Sequence, residues 1–231
     1  MWLNEQHVTD AALRTYRKAL LRACPNHLVI DNLFANDKLE QVMRILQRDT
    51  DWQAQQHSYS ALYVDETTWQ KTRNSQRFVQ RDVWQRPAFD ATHPAANVAA
   101  EFLSFLRSDQ FMALLSGIFN VSLTDINVAK PDINTNFFRL KATDFVNQHA
   151  DDSPGREVCM LLYLNKDWQS DNGGELMFMG KDNNHITIAP LYNRCVLFNP
   201  SSEGAEHWVK ALTTDNRQHC RYNVTSWYWS E

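Results

Sequence analysis

From Arg156 onward the chain breaks its apolar residues into short runs, and that rhythm limits the folds open to it more than any other feature. Val158 to Leu164 is a buried-strand pattern, Asn165 to Asn172 is polar turn chemistry, and Gly173-Gly174-Glu175 leads into an apolar stretch ending at Met179. Ile186 to Ala189 stops at Pro190, and Arg194 to Phe198 stops at Asn199-Pro200. Trp208 to Leu212 follows His207, and Arg221 to Trp229 comes last. Short strands at this spacing, punctuated by Gly, Pro and Asn, point to a sandwich or barrel rather than to alternating helices and parallel strands. A double-stranded jelly roll fits best.

The N-terminal half has a different pattern. Val8 to Ala23, Lys38 to Arg48, Ala96 to Leu106 and Gln110 to Phe119 carry apolar residues at helical spacing and are expected to buttress one sheet. The 231 residues are 43% hydrophobic, enough for a full core. No repeat or low-complexity linker is visible. The expected fold is therefore mainly β with flanking helices (α+β), a double-stranded β-helix (jelly-roll, cupin-like) core behind N-terminal buttressing helices. One domain is expected, with 1–120 a helical elaboration plus first strands and 130–231 the jelly-roll core. Residues 57–89 mix Tyr63, Trp69, Arg73, Arg77, Arg81 and Trp84 with few breaks. They read equally as a lid over a site or as a pair of twisted strands.

Inside this framework lie His149, Asp151 and His207. One residue separates the first two, so on an extended strand both side chains leave the same face and can share a metal ion, with His207 as the third ligand from a distant segment. A His-x-Asp triplet alone more often marks a solvated turn. Two imidazoles and a carboxylate on one face of a metal leave the other face open, the arrangement of non-heme Fe(II) oxygenases. On the closing strand, the period-two face collects Arg221, Thr225 and Trp227, a guanidinium and a hydroxyl beside an aromatic wall, suited to a carboxylate. The alternative for Arg221 is a surface or ion-paired arginine on an edge strand.

His149-x-Asp151, the Tyr163-Leu164-Asn165 strand end, Gly173-Gly174-Glu175, His207 and Arg221-Tyr222-x-Val224-Thr225-x-Trp227 together resemble the Fe(II)- and 2-oxoglutarate-dependent dioxygenases, closest to the prolyl-hydroxylase branch. The resemblance covers about Asn136 to Glu231, and Leu28 to Leu46 is similar to the strand and helix that open that catalytic domain. It implies that His149, Asp151 and His207 ligate Fe(II). It further implies that Arg221 pairs with the distal carboxylate of 2-oxoglutarate, that Tyr163 and Thr225 add hydroxyl contacts, and that Trp227 walls the cofactor pocket. The implied reaction consumes O2 and 2-oxoglutarate, releases succinate and carbon dioxide, and hydroxylates an unactivated C–H bond, with ascorbate as a reductant. The implied substrate is a peptide, a protein or a small molecule, with a prolyl residue the branch's own choice. One departure is the stretch from His207 to Arg221, longer than in typical members, with Thr213 to His219 a polar excursion. There Arg217 competes with Arg221 but lacks strand context, and His219 is the rival of His207.

A net charge of −4 gives no basic footprint for general nucleic-acid binding. Met1 to Leu21 has no long apolar run and reads as neither a secretory signal nor a membrane span. Four cysteines (24, 159, 195 and 220) without Cys-x-x-Cys spacing read as free thiols in a reducing compartment, so a cytoplasmic protein is expected. His7, His27, His57, His93, His185 and His219 read as surface or structural. Two other classes use the same ligands: a non-catalytic metal-binding jelly-roll module, and a zinc-dependent hydrolase with Asp152 or Glu206 as base. Neither employs Arg221, Thr225 and Trp227. Arg139 and Asn199, which flank the ligand segments, are candidates for substrate selection.

Overall fold

The computed structural model describes residues 1–48, 51–86, 97–213 and 220–230. In chain order the elements are α1 (Asp10–Leu20), β1 (His27–Asp31), α2 (Asn36–Leu46), β2 (Trp52–Ser58), α3 (Glu66–Lys71), β3 (Arg77–Trp84), α4 (Asn97–Leu106), α5 (Asp109–Phe119), β4 (Leu123–Thr124), β5 (Thr135–Leu140), β6 (Phe145–Val146), β7 (Arg156–Tyr163), β8 (Leu176–Phe178), β9 (Ile186–Ile188), β10 (Arg194–Phe198), β11 (His207–Val209) and β12 (Arg221–Ser230). Helix ends follow their local chemistry. Thr9 and Ser108 cap α1 and α5 by accepting from Ala12 N–H and Phe111 N–H, and Asn120 in the left-handed region ends α5.

A nine-stranded sheet runs β1-β10-β7-β12-β5-β3-β2, with β4 paired to β12 and β6 to β3, and a three-stranded sheet runs β11-β8-β9. Among the described residues every strand pairing is antiparallel. An antiparallel sheet with α2, α4 and α5 packed on one side is the expected jelly-roll architecture.

The period-two alternation of strands divides the interior in two. From β7 and β12, Val158, Met160, Leu162, Val224 and Tyr228 face one way and pack with the apolar faces of α2, α4 and α5. Cys159, Leu161 and Tyr163 face the other way, toward Leu176, Phe178 and Ile188 of the smaller sheet. Because β7 is covered on both sides, its sequence reads as one continuous apolar run. The odd-numbered residues of β12 share the inner side, which places Arg221, Asn223, Thr225 and Trp227 between the sheets.

Three segments depart from expectation. His149 and Asp151 are not on a ladder strand, since His149 is held by a single bridge to His207. The last strand before the closing one begins at His207 and ends at Val209 rather than spanning Trp208 to Leu212, because its partner β8 gives way to the Gly173-Gly174 turn. Of residues 57–89, the described part is a strand pair, β2 with β3, joined by a loop and α3. Pro87, Ala88 and Phe89 lie outside the described residues, as do His93, Arg217 and His219.

Candidate active site

Two backbone bonds set His149 directly opposite His207: the His149 N–H donates to the His207 carbonyl at 3.0 Å, and the His207 N–H to the His149 carbonyl at 2.9 Å. Their ring centroids are 4.4 Å apart. Asp151, two residues along the chain, brings Oδ1 to 3.7 Å from His149 Nε2 and Oδ2 to 3.7 Å from His207 Nε2. Two ligand atoms that each lie about 2.1 Å from one ion are at most about 4.2 Å apart, so these separations suit a shared ion.

The backbone also chooses which ring nitrogens face inward. His149 Nδ1 lies 2.9 Å from the Asn147 carbonyl and His207 Nδ1 lies 3.0 Å from the Ala205 carbonyl, in each case two residues back. A carbonyl only accepts, so each Nδ1 carries the proton and each Nε2 keeps a lone pair. Trp227 Nε1 donates to Asp151 Oδ2 at 2.7 Å, and Arg156 donates to the Asp151 carbonyl. Burial alone would push the Asp151 carboxyl up, but His149, His207, the Trp227 hydrogen bond and Arg156 outweigh it and hold it below the usual carboxylate range. Burial pulls His207 down to about 4, with His149 adding and Asp151 opposing. Neutral imidazole and ionised carboxylate are the states that bind a divalent ion.

Farther along the inner face of β12 is a second constellation. Arg221 is 4% exposed. Its Nε donates to the Gly174 carbonyl at 2.7 Å and its Nη1 to Asn223 Oδ1 at 2.9 Å, while Asn223 Nδ2 donates to Thr225 Oγ1 at 2.9 Å. Arg221 Nη2 and the Tyr163 hydroxyl are both buried without a hydrogen-bond partner, and the guanidinium carbon lies 4.9 Å from the Tyr163 ring centre. Leaving such groups unpaired costs about 1–3 kcal/mol each, so an acceptor delivered between them is favoured. Gly174 permits the arrangement: at φ +81°, a Cβ there would come 2.8 Å from Leu212 Cδ2 and 3.0 Å from Arg221 Cδ.

A cavity of about 780 Å³ opens onto His149 and Asp151, walled by His57, Tyr63, Phe78 and Arg81 from the β2–β3 pair and by Trp227 from β12. The structure thus gathers His149, Asp151, His207 and Trp227 in one cluster and Arg221, Tyr163 and Thr225 in another on the same inner face. Trp227 sits against Asp151 rather than beside Arg221. Asn223, which links Arg221 to Thr225, escaped the sequence reading although it shares their period-two face. Arg139 lies on the opposite face, 2.7 Å from Asp82, and Asn199 closes a turn by accepting from Ser201 N–H, so neither joins the cavity. Of the two candidate hydrolytic bases, Asp152 is exposed at the cavity rim and Glu206 is exposed and engaged by Gln148.

Residues 135–229 match the 2OG-Fe(II) oxygenase superfamily. Over 131 residues the chain is 24% identical to the mouse (Mus musculus) protein Prolyl 3-hydroxylase OGFOD1, a stretch that is 54% of this chain and 22% of that one. The chain therefore spans about a fifth of that relative's length. In fold it is similar to a Pseudomonas putida prolyl-4-hydroxylase (TM-score 0.63, 17% identity, 95% of this chain and 99% of that one). It is also similar to a Trichoplax adhaerens prolyl hydroxylase solved with a hypoxia inducible factor oxygen degradation domain peptide fragment (TM-score 0.62, 19% identity, 98% and 96%). By these matches residues 135–229 are similar to the 2OG-Fe(II) oxygenase superfamily, and the chain shares its fold with solved prolyl hydroxylases.

Proposed function

We propose that the chain is an Fe(II)- and 2-oxoglutarate-dependent hydroxylase acting on a prolyl residue of a peptide or protein, with residues 1–231 working as one catalytic unit. The observation that carries this reading is the pairing of a His149–Asp151–His207 cluster with two buried polar groups on the same inner face that lack a hydrogen-bond partner, Arg221 Nη2 and the Tyr163 hydroxyl. His149 and His207 would hold the metal through Nε2 and Asp151 through a carboxylate oxygen. The Asn147 and Ala205 carbonyls fix the ring tautomers, and Trp227 fixes the carboxylate. Arg221 Nη2 and the Tyr163 hydroxyl would receive the distal carboxylate of 2-oxoglutarate, with Asn223 and Thr225 keeping the guanidinium in plane. Bound Fe(II), with 2-oxoglutarate and O2, supplies the oxidising power for C–H hydroxylation, releasing succinate and carbon dioxide. Phe178 and Phe198 pack against the buried His207 ring and shield it from water, while Phe78 packs against His149 at the cavity wall.

The prolyl target is proposed from the named relatives. Ascorbate, as the reductant that keeps the iron ferrous, is proposed from the same family likeness. Four free cysteines, two of them buried, support a reducing compartment such as the cytoplasm. No helix among the described residues is long and apolar enough to cross a membrane.

The test is anaerobic and needs no substrate. Fe(II) and then 2-oxoglutarate are added to metal-free protein, and the visible charge-transfer band of a chelated 2-oxo acid is recorded. A saturable band that disappears in Arg221→Ala at moderate cosubstrate is expected. Metal binding without a band would sink the oxygenase reading and favour a metal-binding module or a zinc enzyme.

A further inference from the structure

Within the cavity, the strong groups are largely accounted for. Asp151 is taken by the two histidines and Trp227, and His57 Nδ1 accepts from the Tyr63 N–H. Arg156 donates Nη1–H to the Asp151 carbonyl and lies over Trp227 and Trp229, which leaves its buried Nε without a partner but its charge beside the Asp151 carboxylate. Arg81 is different. It stands opposite Gln55 in the β2–β3 register and donates Nε–H to Gln55 Oε1 at 2.9 Å, while its guanidinium carbon sits 3.5 Å above the centre of the Phe138 ring. Two contacts on different sides therefore fix the plane of the guanidinium. Its two terminal nitrogens make no hydrogen bond and no carboxylate pairs with it among the described residues, and it lines the same cavity as His149 and Asp151. Burial draws its pKa down to about 10, with Asp151 opposing, so it stays cationic at neutral pH.

A planar, pre-oriented fork with free terminal N–H groups matches a carboxylate in shape and charge. The cosubstrate's distal carboxylate already has its place at Arg221. We infer that Arg81 determines specificity by taking a carboxylate of the substrate, so that the substrate is anionic close to the carbon that is hydroxylated. This rests on the oxygenase reading. The carboxylate has two possible sources: an Asp or Glu side chain beside the target residue in a peptide, or the main-chain carboxylate of a free amino acid. In the first case Tyr59, Leu62 and Ile133, exposed at the cavity mouth, give the neighbouring residues of the peptide an apolar rim.

The test uses the full chain loaded with Mn(II) and 2-oxoglutarate under anaerobic conditions, so that nothing turns over. One arm presents random hexapeptides, N-acetylated and C-amidated, in two pools that differ only in having Asp and Glu or Asn and Gln. The other presents a mixture of free amino acids against the same mixture as amides. Retention of the acid form at least tenfold over its amide is expected in one arm, and the arm names the source. Arg81→Gln and Arg81→Met should abolish the preference and Arg81→Lys should keep part of it, with melting temperatures showing that each variant folds. The inference is overturned by equal retention of acid and amide in both arms, by a preference that survives Arg81→Gln, or by Arg81→Gln weakening 2-oxoglutarate binding itself to the same degree. Metal and 2-oxoglutarate binding are measured on the same samples, by Mn(II) electron paramagnetic resonance and calorimetry. Their failure would count against the oxygenase reading separately from Arg81, whose acid preference is then read on the metal-free chain.

Discussion

At the scale of single residues, two inner-face side chains of β12 have separable jobs. Trp227 orients Asp151 through one hydrogen bond of 2.7 Å. Trp227→Phe keeps the ring and removes that bond, and a loss of metal affinity of roughly 10–100-fold is expected in a competition titration, with the fold intact. Unchanged affinity would show that Asp151 needs no help. Asn223 instead serves Arg221. Asn223→Ala should weaken 2-oxoglutarate binding about tenfold, since it removes a partner of a buried charge, while leaving metal affinity where it was. Equal losses of both ligands would count against the two-cluster division. Asn223 was hard to recognise in the sequence because an amide reads as turn chemistry. Arg221, Thr225 and Trp227 were conspicuous because their types are unusual on an inner strand face. Arg81 was visible only as one of several arginines, because its significance lies in lacking a carboxylate partner, and partners are set by tertiary contacts.

Among elements, the Gly173-Gly174 turn joins the loop after β7 to β8 and itself supplies, at Gly174, the carbonyl that accepts from Arg221. Gly174→Ala forces a Cβ against Leu212 and Arg221 at a left-handed backbone position. A lowered melting temperature, corresponding to roughly 1–2 kcal/mol, and weakened 2-oxoglutarate binding with metal binding retained are expected. A variant that melts lower yet binds 2-oxoglutarate normally would show that Arg221 has slack. The sequence conveyed the long helices and strands well, since α1, α2, α4 and α5 carry helical periodicity, β12 has a distinct period-two face, and β7 and β10 are apolar runs bounded by turn residues. It did not convey the geometry at His149, where one bridge does the work of a strand, because a single pair of backbone bonds leaves no pattern. The β2–β3 region was ambiguous for a related reason: a strand at the end of a sheet with polar and aromatic residues on both faces lacks clean alternation.

For the whole molecule, the architecture was legible in the spacing of breaks, whereas strand order was not. β1 pairs with β10 and β12 sits between β5 and β7, contacts between residues far apart in sequence that no local rule specifies. Folding into this shape also sets a pH dependence. Burial pulls His57 and His207 from an ordinary 6.5 to about 4, so the unfolded chain binds more protons than the folded one between those values. The stability they contribute is present above pH 6.5 and is lost as pH falls toward 4, by at most roughly 3 kcal/mol for each. Asp151, depressed in the fold, adds a further loss of the same sign below the usual carboxylate range. Denaturant unfolding of the metal-free protein at pH 7.5, 6 and 4.5 should show the midpoint falling steadily, and a flat profile would mean that neither histidine is shielded. The His149–His207 bridge has a consequence of its own, because the amide hydrogen of each residue is held by the carbonyl of the other. Any breathing of the seam between the two sheets releases both amides together, and an ion gripping both rings must slow that breathing. Deuterium uptake at these two positions would then fall in step as metal is added, turning a pair of backbone hydrogens into a built-in occupancy gauge.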